Sequence, residues 1–491
     1  MNNFCCLIHY VLFAALLFGS SNVSFAQNDF REQFESFKKS NEDSYKSFRD
    51  SANVEFAKCL RMQWESFHLM DGNPRPERDE PEVEFSSEKE YNVSMEYQKD
   101  IDDVETIIVR ELTTELFSTG KQMTASSNNV FRNVSLRFYG NNLKIPVPAD
   151  YGSFHPDGIS ERAVGDFWEK LSSYDCYAID KAVAGFSGKL SLNDWGKLML
   201  AKKISASIFT SDINSECVIF AVYLLNRLGL SCRIARSGRT LLCLFESSQP
   251  VFARKFIDVE GRRFYTDSDI GDVMRLSTYR FEASNKYRPL DLNITTPLKL
   301  DTPASVYTVS RYSTVFGRDI SVQLDANALA FYDDYPQVDM KVYSSETPTE
   351  VFYSSLLGQL KPLFAGKADE DALNLLLSFF HKDFSYKTDL EQFGYEKPFF
   401  IEDNFRYKYN DCEDRAVLMC FLVKELLGLD CLLLDYPNHV ECAVCLDKSV
   451  AGCYVSRGAS RYYVCDPTYI GAKVGMSCIP SNVKPKKVWV L

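Results

Sequence analysis

The stretch Val417-Leu-Met-Cys-Phe-Leu-Val-Lys-Glu-Leu-Leu-Gly-Leu-Asp-Cys431 decides the architecture, because the chain carries it twice. Its first eleven positions are apolar except for Lys424 and Glu425, the pattern of a buried helix. Gly428 follows where a helix end favours a left-handed residue. The run Cys431-Leu-Leu-Leu then reads as a buried strand. Its twin, Val218-Ile-Phe-Ala-Val-Tyr-Leu-Leu-Asn-Arg-Leu-Gly-Leu-Ser-Cys232, lies 199 residues earlier and has the same length and the same Leu-Gly-Leu ending. Carried on without gaps, the alignment places Asp466 on Asp267 and leaves Ile470-Gly471 one step from Ile270-Gly271. Two related modules of helix followed by strands imply an α+β fold built by internal duplication.

Working outward, the second module is expected over residues 356–491 and the first over 156–285. Two β-rich segments precede them, at 105–155 and 286–355. The second is read from Ser305-Val-Tyr-Thr-Val, Ile320-Ser-Val-Gln-Leu and Val338-Asp-Met-Lys-Val-Tyr, with turn residues between them. Residues 27–70 place Phe30, Phe34, Phe37, Phe56, Leu60 and Trp64 at steps of three and four among charges, which predicts an amphipathic helix. A proline-containing acidic linker covers 71–104. Met1 to Ala26 lacks Lys, Arg, Asp and Glu, has an apolar Leu7–Phe18 core interrupted by His9, and ends Ser24-Phe25-Ala26. That is the pattern of a cleaved signal peptide, so a secreted or periplasmic protein is expected.

The 491 residues carry a net charge of −12, which leaves no electrostatic footprint for nucleic acid. No apolar run reaches the ~20 residues of a membrane span. Of 15 cysteines, Cys5 and Cys6 leave with the leader, and the remaining odd number in a long chain argues for buried thiols over a disulfide framework. Cys442 and Cys445 form a C-x-x-C inside a strand-like run, with no second pair at zinc spacing, so neither metal nor cofactor is expected.

The chemistry gathers in the second copy. Asn410-Asp-Cys412-Glu-Asp-Arg-Ala opens the long helix, where unpaired N–H groups and the helix dipole favour a thiolate. His439 lies in Tyr436-Pro-Asn-His-Val-Glu, a turn feeding an apolar strand, whereas His68, His155 and His381 read as structural or solvated. Asp466 ends the aromatic strand Arg461-Tyr-Tyr-Val-Cys-Asp. Cys412, His439 and Asp466 follow one another at intervals of 27 residues. A nucleophile, a base and an orienting carboxylate need that order when a helix packs on an antiparallel sheet.

These residues resemble the transglutaminase-like superfamily. The matching pieces are Cys412-x-Asp414-x-Ala416, His439 with its following strand, Asp466-Pro-Thr468 and the turn Leu427-Gly-Leu-Asp-Cys-Leu. The chain as a whole is similar to secreted bacterial members. The resemblance implies a papain-like core with a Cys412–His439–Asp466 triad, repeated as two tandem modules. It departs from the family in having Asn410 where Gly is usual and Glu441 where an aromatic is usual, changing the turn and the wall of the acyl site.

By the same resemblance the first module is degenerate: Ile213 and Thr240 stand at the Cys and His positions, and Cys217 lies a turn too deep in its helix. The expected activity is cysteine-dependent attack on a peptide or carboxamide bond through a thioester, with hydrolysis favoured over amine cross-linking. The Cys412 N–H supplies one oxyanion donor, with Asn410 or Tyr409 considered for the second; Asp414 and Arg415 are expected to pair or cap the helix. The substrate is a protein or peptide. The alternative is a non-catalytic binding or scaffold protein on the same fold, with the N-terminal helix holding a partner.

Overall fold

The structure, a computed structural model, describes residues 53–72, 90–91, 130–174, 176–209, 215–280, 287–480 and 483–491. The expected signal peptide and most of the N-terminal helix and linker lie outside the described residues. The described chain opens with α1 (53–60), β1 (Glu65–His68) and β2 (Glu90–Tyr91). A first unit follows, with the hairpin β3 (Phe131–Phe138) and β4 (Asn141–Pro148) and the helices α2 (Glu161–Ser172), α3 (Tyr177–Lys189), α4 (Asp194–Ile208) and α5 (Ser215–Arg227). Its strands are β5 (Cys232–Ser237), β6 (Thr240–Glu246), β7 (Phe256–Val259), β8 (Arg262–Thr266) and β9 (Arg275–Thr278).

The second unit opens with the hairpin β10 (Val306–Ser313) and β11 (Arg318–Asp325), then α6 (Ala326–Asp333), α7 (Met340–Ser344), α8 (Glu350–Phe364) and α9 (Asp369–Asp383). Next come β12 (Ser385–Tyr386), α10 (Asp389–Phe393), α11 (Asp403–Arg406), β13 (Tyr409–Asn410) and α12 (Cys412–Leu427). The unit ends in β14 (Cys431–Asp435), β15 (Val440–Cys445), β16 (Tyr454–Arg457), β17 (Ser460–Cys465) and β18 (Lys487–Val490).

The fold is α+β, and the two units repeat the same plan. One sheet runs β1-β9-β5-β6-β8-β7 and the other β18-β14-β15-β17-β16-β2, so the five strands of each unit take the same order. Cys232 faces Phe245 and Cys431 faces Val444, the same register 199 residues apart. In each unit the opening hairpin packs on two later helices, α3 and α4 or α8 and α9, and α5 or α12 covers the two central strands. The β-rich segments are therefore the leading hairpins of the two units rather than modules between them.

Sheet register also moves the aspartate match. Leu244 faces Thr266, whereas Ala443 faces Val464, because the connection from the second strand to the third is one residue longer in the first unit. Asp267, whose N–H bonds Cys243 O at 3.3 Å, thus stands where Cys465 stands opposite Cys442, and Ser268 takes the place of Asp466.

Two further expectations change. The N-terminal helix was expected to reach residue 70, but α1 stops at 60 and β1 pairs antiparallel with β9. Trp64 and Leu69 are buried at either end of the strand, and pairing of Glu65–His68 with the sheet edge wins over helical spacing. The expected strand Val338–Tyr343 is α7. Asp339 caps it by accepting from Lys341 N at 3.0 Å, and burying Val338, Met340, Val342 and Tyr343 satisfies either period in so short a run. Among the described residues no helix is long and apolar enough to cross a membrane.

Candidate functional site

Cys412 is the first residue of α12. Asp411 and Asp414 form a reciprocal capping box, with Asp414 also accepting from Phe399 N at 3.0 Å. Of the two roles expected of Asp414 and Arg415, capping is met by Asp414, and the two side chains do not pair with each other. Arg415 is buried and donates to neutral oxygens instead, Asn410 Oδ1 and Phe384 O at 2.9 Å each, and to Pro467 O at 3.5 Å. It thereby ties the helix start to the turn after Asp466. Asn410 donates its amide to Asn404 Oδ1 at 3.0 Å, so its side chain is committed to the scaffold and does not supply the second oxyanion donor.

The hairpin between β14 and β15 carries His439 at its tip, closed by Tyr436 N donating to His439 O at 2.8 Å. His439 Nε2 meets Asp466 Oδ2 at 2.9 Å, and both side chains are buried. Asp466 Oδ1 accepts from the N–H groups of Thr468 and Tyr469 at 2.8 and 3.2 Å. Burial pushes the Asp466 carboxyl up, but the charge and hydrogen bond of His439 outweigh it and hold it below its ordinary value. Burial acts the other way on His439, and Asp466, Glu441 and Glu413 overcome it to raise the imidazole. An ionised Asp466 can only accept, so the ring donates from Nε2, and Nδ1 is buried with no hydrogen-bond partner.

The thiol does not complete that arrangement. Cys412 Sγ donates to Glu413 Oε2 at 3.1 Å, and Glu413 is one of the charges felt by His439. Cys412, His439 and Asp466 are exposed by 0%, 1% and 0%, so solvent reaches none of them. Two cavities of about 120 and 30 Å³ lie in the first unit, the larger beside Asp71, Lys255 and Asp269.

Three further neighbours, Tyr386, His381 and Cys478, have no role in the sequence reading, and Glu441 figures there only as a departure from the family's aromatic. Tyr386 has a buried hydroxyl without a hydrogen-bond partner; burial, and after it the charges of Cys412, Asp411 and Glu413, push its phenol well up. Arg415 lies 5.2 Å over its ring. His381 accepts from Gly471 N at Nδ1 and reaches Asp466 O with Nε2 at 3.2 Å; burial, the largest influence on the ring, holds its pKa below the ordinary value. Cys478 donates to Asp466 Oδ2 at 3.5 Å. Glu441 is fully buried, accepts from Ser477 Oγ at 2.9 Å, and is pushed up to about 8 by burial and by Asp466. Glu413 stands next to Cys412 in sequence and reads there as an ordinary first-turn helix charge.

In the first unit, Ile213 lies outside the described residues, and Thr240 opens β6. Asp267 takes Lys202 Nζ at 2.5 Å, and Cys217 donates to Phe209 O at 3.7 Å, with burial raising its thiol. All 13 described cysteines are free thiols. Cys442 and Cys445, three apart on β15, project to opposite faces and share no ligand.

Comparison of the chain with family models, with curated proteins and with solved structures returns no match.

Proposed function

We propose that this chain is a transglutaminase-like cysteine enzyme that cleaves peptide or carboxamide bonds through a thioester, with one competent unit and one degenerate one. The buried His439–Asp466 pair carries the reading, because it leaves an imidazole lone pair at Nδ1 without a partner. In this scheme the Cys412 side chain turns from Glu413 to His439, and Nδ1 takes the thiol proton. The thiolate attacks the carbonyl carbon while Asp466 holds the Nε2 proton and steadies the imidazolium. The Cys412 N–H at the helix start and the Tyr386 hydroxyl receive the oxyanion. His439 then returns its proton to the leaving amine or ammonia, and water attacks the thioester to release the acid. Secretion and a peptide substrate belong to the same proposal.

The second reading, a non-catalytic binding or scaffold protein, draws on two observations: the thiol rests on Glu413, and the site is sealed. Iodoacetamide labelling of every thiol across pH, read by mass spectrometry, separates the two. The enzyme reading expects Cys412 to label fastest, at a pH below that of its neighbours, and to lose this lead in His439→Ala. A Cys412 that labels no faster than Cys420 or Cys465 overturns it.

A further inference from the structure

Cys478 and Glu441 have no part in the mechanism, yet both are buried against its imidazole–carboxylate pair. His439, Asp466 and Cys478 each turn one ligating atom to a common point, and these three atoms lie within 4.8 Å of one another. The His439 Nε2–Asp466 Oδ2 and Cys478 Sγ–Asp466 Oδ2 distances are 2.9 and 3.5 Å. Donors on one tetrahedral zinc ion stand at about 3.3–3.7 Å from each other, given Zn–N and Zn–S bonds of about 2.0–2.3 Å. Both distances fall within a few tenths of an ångström of that spacing, and the third, imidazole to thiol, is at most 4.8 Å.

Glu441 adds a negative charge nearby. It follows His439 by two residues, and its charge is felt by His439 and by Cys478. Its Oε2 accepts from Ser477 Oγ, on the residue before Cys478, and its Oε1 is buried. Imidazole, thiolate and carboxylate supply three zinc ligands of suitable softness, the number held by a zinc ion with an open fourth position.

We infer that His439, Asp466 and Cys478 form a binding site for a thiophilic divalent cation such as Zn²⁺, favoured by the nearby Glu441 charge, and that its occupancy switches the catalytic base off. Coordination displaces the Cys478 proton to solvent. It also takes the Nε2 lone pair, so the ring proton moves to Nδ1, the atom that must accept the Cys412 proton. The metal-bound and catalytic forms of the ring are opposite tautomers and exclude one another. This second half rests on the enzyme reading; the metal site itself does not.

The test is Co²⁺ titration of the reduced full chain, followed by near-ultraviolet thiolate-to-cobalt absorption and by zinc competition. The expectation is one thiolate-bound cobalt per chain, retained in Cys412→Ser, lost in Cys478→Ser and weakened at least tenfold in Glu441→Gln, which covers the case of a Cys478 variant that does not fold. Zinc should slow Cys412 alkylation at least tenfold in the parent chain and leave it unchanged in Cys478→Ser. No thiolate–cobalt band, or a band that survives Cys478→Ser in folded protein, overturns the site. A normal band together with a Cys412 that is inert with and without zinc supports the site and overturns the enzyme reading instead.

Discussion

Tyr386 and Cys412 lie 26 residues apart in sequence, on β12 and at the start of α12, and the parallel pairing of Tyr386 with Asn410 brings the two segments together. Under the proposed enzyme reading, the unpartnered Tyr386 hydroxyl is a donor for the oxyanion. Tyr386→Phe is therefore expected to leave Cys412 alkylation within about twofold of the parent. It should lower the acylation rate with an activated aryl ester by about 10²-fold, the usual cost of one oxyanion donor. Equal acylation rates would show that the hydroxyl has no such part. His439 and Asp466 were legible from residue type, order and spacing, since a lone histidine entering a strand and an aspartate leaving one are conspicuous. Tyr386 was not, because a missing hydrogen-bond partner belongs to the packed site. The same holds for His381 and Cys478, whose contacts with Asp466 are a matter of fold. The swap of thiol partner from His439 to Glu413 was invisible for a further reason: a one-residue neighbour on a helix gives no sign of which way its carboxylate bends.

Each unit stops its covering helix with a glycine in the left-handed region, Gly229 at φ +77° and Gly428 at φ +69°, and a Cβ at either would meet nothing within 4 Å. With space available, only backbone strain opposes a side chain there, so Gly229→Ala and Gly428→Ala should each destabilise the chain by ~1 kcal/mol in urea unfolding. Gly452 is the contrast. Its Cβ would fall 2.3 Å from Gly475 O, in the loop that carries Cys478, so Gly452→Ala should cost several times more. A Gly428→Ala loss as large as that of Gly452→Ala would contradict the open space around the helix end. These helix ends were readable in the sequence because Leu-Gly-Leu after a long apolar run has a local cause. The short elements were not. Val338–Tyr343 buries the same residues as strand or helix, and only the Asp339 cap, which also takes the Trp489 indole at 2.7 Å, settles it. The strand Glu65–His68 depends on the edge offered by Arg275–Thr278, two hundred residues away.

Across the whole molecule, one apolar core runs from Phe56 to Trp489 through both units, and buried carboxyls stitch the second unit's opening helices to the loop before α12. Glu402 Oε1 accepts from Thr349 N at 2.7 Å and Glu346 Oε2 from Ile401 N at 2.6 Å. Burial pushes Glu402 from 4.5 up to about 7, and the neighbouring Asp403 from 3.8 up to about 6, again through burial first. A carboxyl raised in the folded state holds its proton longer there than in the unfolded chain. Its stabilisation is complete below about 4.5 and is lost as pH climbs through about 7, because the unfolded chain ionises first at no cost while the folded chain must bury a charge. For Glu402 alone the loss amounts to ~3 kcal/mol. Glu402→Gln keeps an oxygen for Thr349 and removes the ionisation. It should be less stable than, or equal to, the parent at pH 5, and more stable by a few kcal/mol at pH 8, in chemical unfolding at matched ionic strength. Parallel pH profiles for the two chains would mean that Glu402 ionises as easily folded as unfolded, and that the segment between the opening hairpin and the candidate nucleophile is more open to water than its packing shows.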